Sequence, residues 1–79
     1  MQLKDALRLR ILQLCMEQDL TLGGLCTQCG ITPSTLNNII SGRNHSVTIA
    51  TLMKLCEGLE TDLSAFFQSD LFRSLEQEL

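Results

Sequence analysis

Residues 30–44, GITPSTLNNIISGRN, read as one short helix with a boundary signal at each end. Gly30 can take positive φ at no steric cost and suits a turn. Thr32 is a good N-cap, and Pro33 suits the first helical position, where its missing N–H costs nothing. Gly42 is the expected stop. Between these signals Leu36, Ile39 and Ile40 form a side to be buried. Ser34, Asn37, Asn38 and Ser41 fall at i, i+3, i+4 and i+7 on the opposite side, with Thr35 next to them. Every outward residue is uncharged and able to hydrogen-bond, and that row of short amides and hydroxyls asks for a ligand.

Working outward, Thr21 caps a preceding helix of about residues 22–28 that buries Leu25, Cys26 and Cys29. Gly23-Gly24 weakens it intrinsically, so packing must hold it. The N-terminal segment, about residues 3–18, has Leu7, Ile11, Leu14 and Cys15 on one helical face and Leu9, Leu12 and Met16 on a second apolar stripe. After a polar loop from Arg43 to Val47, Thr48 caps a fourth helix burying Ile49, Leu52, Leu55 and Cys56, with Gly58 as its stop. Thr61 or Asp62 caps a fifth, in which Leu63, Phe66 and Phe67 supply the bulk. No segment alternates with period two for more than a few residues, so the predicted fold is all-α.

The C-terminal SDLFRSLEQEL (residues 69–79) places Leu71, Phe72, Leu75 and Leu79 at helical spacing, with Asp70, Arg73, Glu76 and Glu78 facing water. It is predicted to form a sixth short helix. A lone helix of this length is marginal in water, so its stripe must be covered. The second stripe of the first helix is the predicted counterpart: Leu9, Leu12 and Met16 against Leu71, Phe72 and Leu75. They meet within one protomer or across a two-fold axis, the dimer being favoured.

A chain of 79 residues makes one domain with a small core. The N-terminal MQLKDALRLRILQLCMEQD interleaves charged and apolar residues, which excludes the uninterrupted apolar run of a signal peptide or membrane span. A cytoplasmic protein is expected, and its four cysteines are then reduced thiols. Cys26 and Cys29 form a C-x-x-C, but a structural zinc needs two further ligands, and only His45 and Cys56 are at hand. The core reading is preferred, because free cysteine behaves as a small apolar side chain. No metal and no cofactor are expected.

The net charge of −3 conceals an uneven distribution. Residues 20–56 contain Arg43 and Lys54 and no acid, whereas Glu57, Glu60, Asp62, Asp70, Glu76 and Glu78 crowd the C-terminal part against Arg73 alone. The middle of the chain is therefore the part a polyanion can approach. No carboxylate pair in an apolar setting, no nucleophile beside a base and no phosphate-cradling loop is present, so no catalytic residue and no enzyme are expected.

Two helices of about eight residues joined by a Gly-containing turn, the second capped and polar on its outward side, describe a helix-turn-helix unit over about residues 21–42. Short hydrogen-bonding side chains read base edges in the DNA major groove: Asn bonds both N6 and N7 of adenine, and Ser or Thr serves several bases.

DLTLGGLCTQCGITPSTLNNIISGRN, followed by TIATLMKLCEGLETDLSAFF, resembles the lambda-repressor-like, Cro-type helix-turn-helix transcription regulators. The shared pattern is Leu-Thr, a small residue in the second helix, Gly-Ile at the turn, Ser-Thr-apolar in the third helix, a Gly stop and a Thr-Leu fourth helix, over about residues 7–67. The resemblance implies a compact five-helix domain, here with a C-terminal helical extension over about residues 69–79, duplex binding through the third helix, and a homodimer. It implies base contacts from Ser34, Thr35, Asn37 and Asn38, with Pro33 where many members have Gln or Arg, and phosphate contacts from Ser41, Arg43, Asn44 and Thr48. The sequence departs from the family at Leu22, where a phosphate-binding Gln is usual, at Leu12 and Cys15, where Arg is common, and at Val47, where Pro is frequent.

The expected function is sequence-specific binding of double-stranded DNA by a repressor-like regulator, without a membrane or small-molecule partner. The alternative is a protein-interaction or antitoxin-type module of the same fold with weak DNA affinity, holding a partner through Leu9, Leu12, Met16 and Leu22.

Overall fold

The computed structural model describes residues 2–41, 47–73 and 75, and within them the chain is helical with no strand. Five α-helices follow in order: α1 (Leu3–Glu17), α2 (Leu22–Cys29), α3 (Pro33–Ile40), α4 (Ile49–Gly58) and α5 (Leu63–Phe67), then a 3-10 turn, Asp70–Phe72. Four starts are set by side chains that accept a hydrogen bond from a backbone N–H three residues on. Thr21 takes that of Gly24 at 3.0 Å, Thr32 that of Thr35 at 3.1 Å, Thr48 that of Thr51 at 3.1 Å and Asp62 that of Ala65 at 2.7 Å. Each such cap contributes about 1 kcal/mol. At the start of α1 the Gln2 N–H donates to the Asp5 carboxylate at 3.2 Å.

The core is formed by Leu7, Ile11, Leu14 and Cys15 of α1, Leu25, Cys26 and Cys29 of α2, Leu36 and Ile39 of α3, and Leu52, Leu55 and Cys56 of α4, closed by Leu59 and Phe66. Two polar ties lock α1 to the later helices. The Arg10 guanidinium donates to the Phe66 and Ala65 carbonyls at 2.8 and 3.0 Å in the last turn of α5, where the Ala65 carbonyl also accepts the Gln68 N–H. The Gln18 amide donates to the Leu59 carbonyl at 2.6 Å.

Two expectations change and a third gains its geometry. α4 does end at Gly58, which is the buried last residue of the helix, while Glu60 takes the left-handed conformation (φ 55°), as Asp19 does after α1. In both places the next residue's N–H closes back to a carbonyl five residues earlier: Leu20 to Cys15 at 2.8 Å and Thr61 to Cys56 at 2.9 Å. This closure offsets the cost of positive φ outside glycine. Ile49 is 62% exposed rather than buried. Close approaches of α2 to α4 involve Leu55 and Gly58 at the far end of the helix, leaving the first turn uncovered. Among its described residues, 69–73 and 75, the C-terminal stretch is helical at the turn Asp70–Phe72, with Ser69 accepting the Leu71 N–H at 3.3 Å. This turn packs on α1 of the same protomer, and Phe72 leans on the core. Leu79, Glu76 and Glu78 lie outside the described residues. Met16 is 81% exposed, and Leu9, Leu12, Leu71 and Leu75 are half-buried.

All four cysteines are unpaired and buried. The Cys29 Sγ donates to the Leu55 carbonyl at 3.7 Å. Burial pushes the Cys29 thiol up from 9.0 to about 11, opposed by the hydrogen bond from the Gly58 backbone and assisted more weakly by the neighbouring thiols Cys15, Cys26 and Cys56. Burial also raises Cys15 and Cys56. The folded chain thus keeps a proton that the unfolded chain releases at lower pH, so stability is full below pH 9 and falls as pH rises from 9 towards 11. The loss is on the order of 2 kcal/mol. Urea melts at pH 8 and pH 10.5 should show this loss, with a shallower decline in Cys29→Ala; a decline of equal steepness in that variant would assign the pH dependence to other groups.

Candidate nucleic-acid interface

The path from α2 to α3 is a tight turn. Gly30 takes the left-handed conformation (φ 69°), its N–H bonds the Cys26 carbonyl at 3.0 Å, and Thr32 opens α3 two residues later with Pro33 at its first position. Leu36 and Ile39 pin α3 to the core at 2% and 5% exposure, so the opposite side faces solvent.

That side is not uniform. Pro33, Ser34 and Asn37 line an open groove of about 570 Å³ between α3 and the start of α2, with Leu22 and Gly23 on its other flank and Cys26, Leu36 and Ile40 as its apolar lining. Pro33, Ser34 and Asn37 are all exposed. Among the described residues no hydrogen bond engages the Asn37 amide or the Ser34 hydroxyl, so both are available to a ligand. Asn38 is half-buried, outside the groove lining, and its backbone carbonyl accepts the Ser41 hydroxyl at 3.4 Å. Thr35 shares a 2.9 Å hydroxyl contact with the Thr32 cap, so its polar end is engaged locally.

The candidate phosphate contacts divide similarly. Ser41 and Thr48 are exposed; the Thr48 hydroxyl caps α4 and donates to the Thr51 hydroxyl at 2.9 Å. Arg43 and Asn44 lie outside the described residues, as does His45. Gly23 was not apparent from the sequence as part of the groove. A Cβ built there meets nothing within 4 Å, so this flank stays open to a bulky neighbour. The only hint was a second glycine inside a capped helix.

No charged side chain occurs from Leu20 to Ser41, so the whole of α2, the turn and α3 are neutral. Of the described cations, Lys4 and Arg8 are half-buried on α1, Arg10 is committed to α5 and Arg73 pairs with Asp70 at 3.4 Å on the surface, while Lys54 is exposed on α4. No helix among the described residues is long and apolar enough to cross a membrane.

The sequence matches no curated protein. Among solved structures the chain is similar to prophage Lp1 protein 11, with 26% identity and a TM-score of 0.82, over 95% of this chain and 100% of that one. A helix-turn-helix family model matches residues 11–66, which include all of α2, the turn, α3 and α4. The two matches, on an all-helical frame with a capped and outward-polar α3, establish that the chain belongs to the helix-turn-helix family of DNA-binding regulatory domains, in its lambda-repressor-like form.

Proposed function

We propose that the protein is a sequence-specific regulator of transcription, repressor-like, that inserts α3 into the major groove of duplex DNA. The observation that carries this reading is the arrangement around Gly30. The core holds α3 by Leu36 and Ile39 while Pro33, Ser34 and Asn37 stand free on the far side. Asn38 and Thr35 complete the base-facing row, and Ser41, Thr48, Arg43 and Asn44 are assigned to phosphates. The protein acts as a homodimer in the cytoplasm, without catalysis, cofactor or small-molecule ligand. Met16, almost wholly exposed, with Leu9 and Leu12 beside it and Leu71, Phe72 and Leu75 at the C-terminus, forms the proposed dimer or partner surface.

Selection of duplexes from a random pool tests the reading. Asn38→Ala should cost roughly 1–3 kcal/mol at one base pair and relax preference there. Arg43→Ala should weaken binding to all duplexes alike and flatten the salt slope by about one unit, since one fewer counterion is released. If wild type and both variants bind every duplex equally, base reading by α3 is wrong. The neutral α2–α3 surface and the exposed Met16 favour the second reading in that event, a protein-interaction or antitoxin-type module of the same fold.

A further inference from the structure

We infer that α3 reads adenine and thymine: the base pairs it contacts are A·T, recognised through adenine N6/N7 and the thymine C5-methyl, and it lacks the charged side chains that select guanine and cytosine best. The inference rests on the proposed insertion of α3 into duplex DNA and adds what that helix selects there.

In the major groove each base shows a different chemistry. Guanine offers two acceptors, O6 and N7, best met by the donor-only Arg or Lys. Cytosine offers the N4 donor, met by Asp or Glu. Adenine offers an acceptor next to a donor, N7 and N6, which one carboxamide satisfies with its own N–H and carbonyl. Thymine adds a methyl group. Between Leu20 and Ser41 there is neither a cation nor an acid, so the side chains that select guanine and cytosine best are missing from both helices.

What is present matches the other pair. The Asn37 amide is exposed at the groove edge. Next to it Pro33 presents a ring with no N–H to donate, and across the groove Leu22 is 38% exposed above an apolar lining of Cys26, Leu36 and Ile40. A thymine methyl against Pro33 or Leu22 loses only unfavourable hydration. Guanine acceptors brought to the same apolar rim would lose their water with nothing in its place, which discriminates against that pair. Among the described residues Asn37 has no side-chain hydrogen bond to be broken before it reads a base. Residues 42–46, with Arg43, lie outside the described residues, and the inference concerns only base pairs read from α3.

The test uses the full chain and chemically altered duplexes, so that folding is untouched. In the best duplex selected from a random pool, the base pairs whose preference relaxes in Asn37→Ala or Asn38→Ala should be A·T. Replacing the adenine there by 7-deazaadenine, which lacks the N7 acceptor, should weaken wild-type binding about tenfold and should not weaken the relaxed variant further. Uracil for thymine at the neighbouring positions should weaken binding a few-fold through loss of the methyl group. G·C at the relaxed positions, or indifference to both replacements, overturns the inference and leaves duplex reading intact. Absence of duplex binding overturns both together.

Discussion

Gly58→Ala is expected to destabilise the protein by roughly 1–3 kcal/mol, the usual cost of added volume against a packed neighbour that cannot move aside. A Cβ at position 58 would run into the Cys29 sulfur, and would stand 3.0 Å from the Cys29 backbone nitrogen and 3.1 Å from its Cα. The sulfur could turn away; the backbone of α2 could not. Gly58 lies in α4 without positive φ, so backbone strain does not oppose alanine there, and helix propensity alone would favour it by about 1 kcal/mol. A loss against that preference therefore measures the close approach of α2 to α4. At about 4–8 °C per kcal/mol for a domain of this size, the melting temperature should fall by roughly 4–24 °C. The double variant Gly58→Ala/Cys29→Ala should recover only part of the loss, because the backbone contacts persist. A single variant as stable as wild type would falsify the account. Cys29 precedes the Gly30 turn, so forcing α2 away from α4 should also disturb the seat of α3.

Phe66→Ala should cost about 3–5 kcal/mol. Phe66 is completely buried, and its ring centroid lies 5.2 Å from that of Phe67, edge-on, and 6.1 Å from that of Phe72. Domains of this size are stabilised by roughly 5–15 kcal/mol, so one ring carries a large share. Phe67 is 39% exposed, and Phe67→Ala should cost less than half as much. Because Phe72 leans on the ring that is lost, the Asp70–Phe72 turn should detach from α1 before the rest unfolds. Native-state hydrogen exchange would then accelerate at Phe72 and Arg73, whose N–H groups bond Ser69 and Asp70 at 3.1 Å each, in Phe66→Ala more than in Phe67→Ala. Equal losses at the two positions would mean that the three rings act as a surface cluster and not as a core element.

Helix starts were legible in the sequence because capping is local: Thr21, Thr32 and Thr48 each bond an N–H three residues away, and no tertiary contact is needed to make that bond. The Thr61 or Asp62 alternative was settled by the same geometry, in favour of Asp62. The helix-turn-helix unit followed from spacing, since Gly30, Thr32 and Pro33 leave the chain few ways to connect two helices, and Leu36 and Ile39 had to face the core opposite Ser34 and Asn37. Which parts of an apolar stripe are covered depends on where another helix ends, so Ile49 looked like Leu52 in sequence and stands in solvent in the structure. Glycine carries two meanings that only three dimensions separate: Gly30 is needed for its φ, Gly58 for the absence of a Cβ beside Cys29, and Gly23 leaves one flank of the groove open. The amphipathic pattern at residues 69–79 places Phe72 on an apolar stripe, but its partners Phe66 and Phe67, reached through the 3-10 turn Asp70–Phe72, are set by the tertiary structure. Propensity and capping act over one turn of chain and can be read along it, whereas burial is a relation between residues such as Cys29 and Gly58 that only folding brings together.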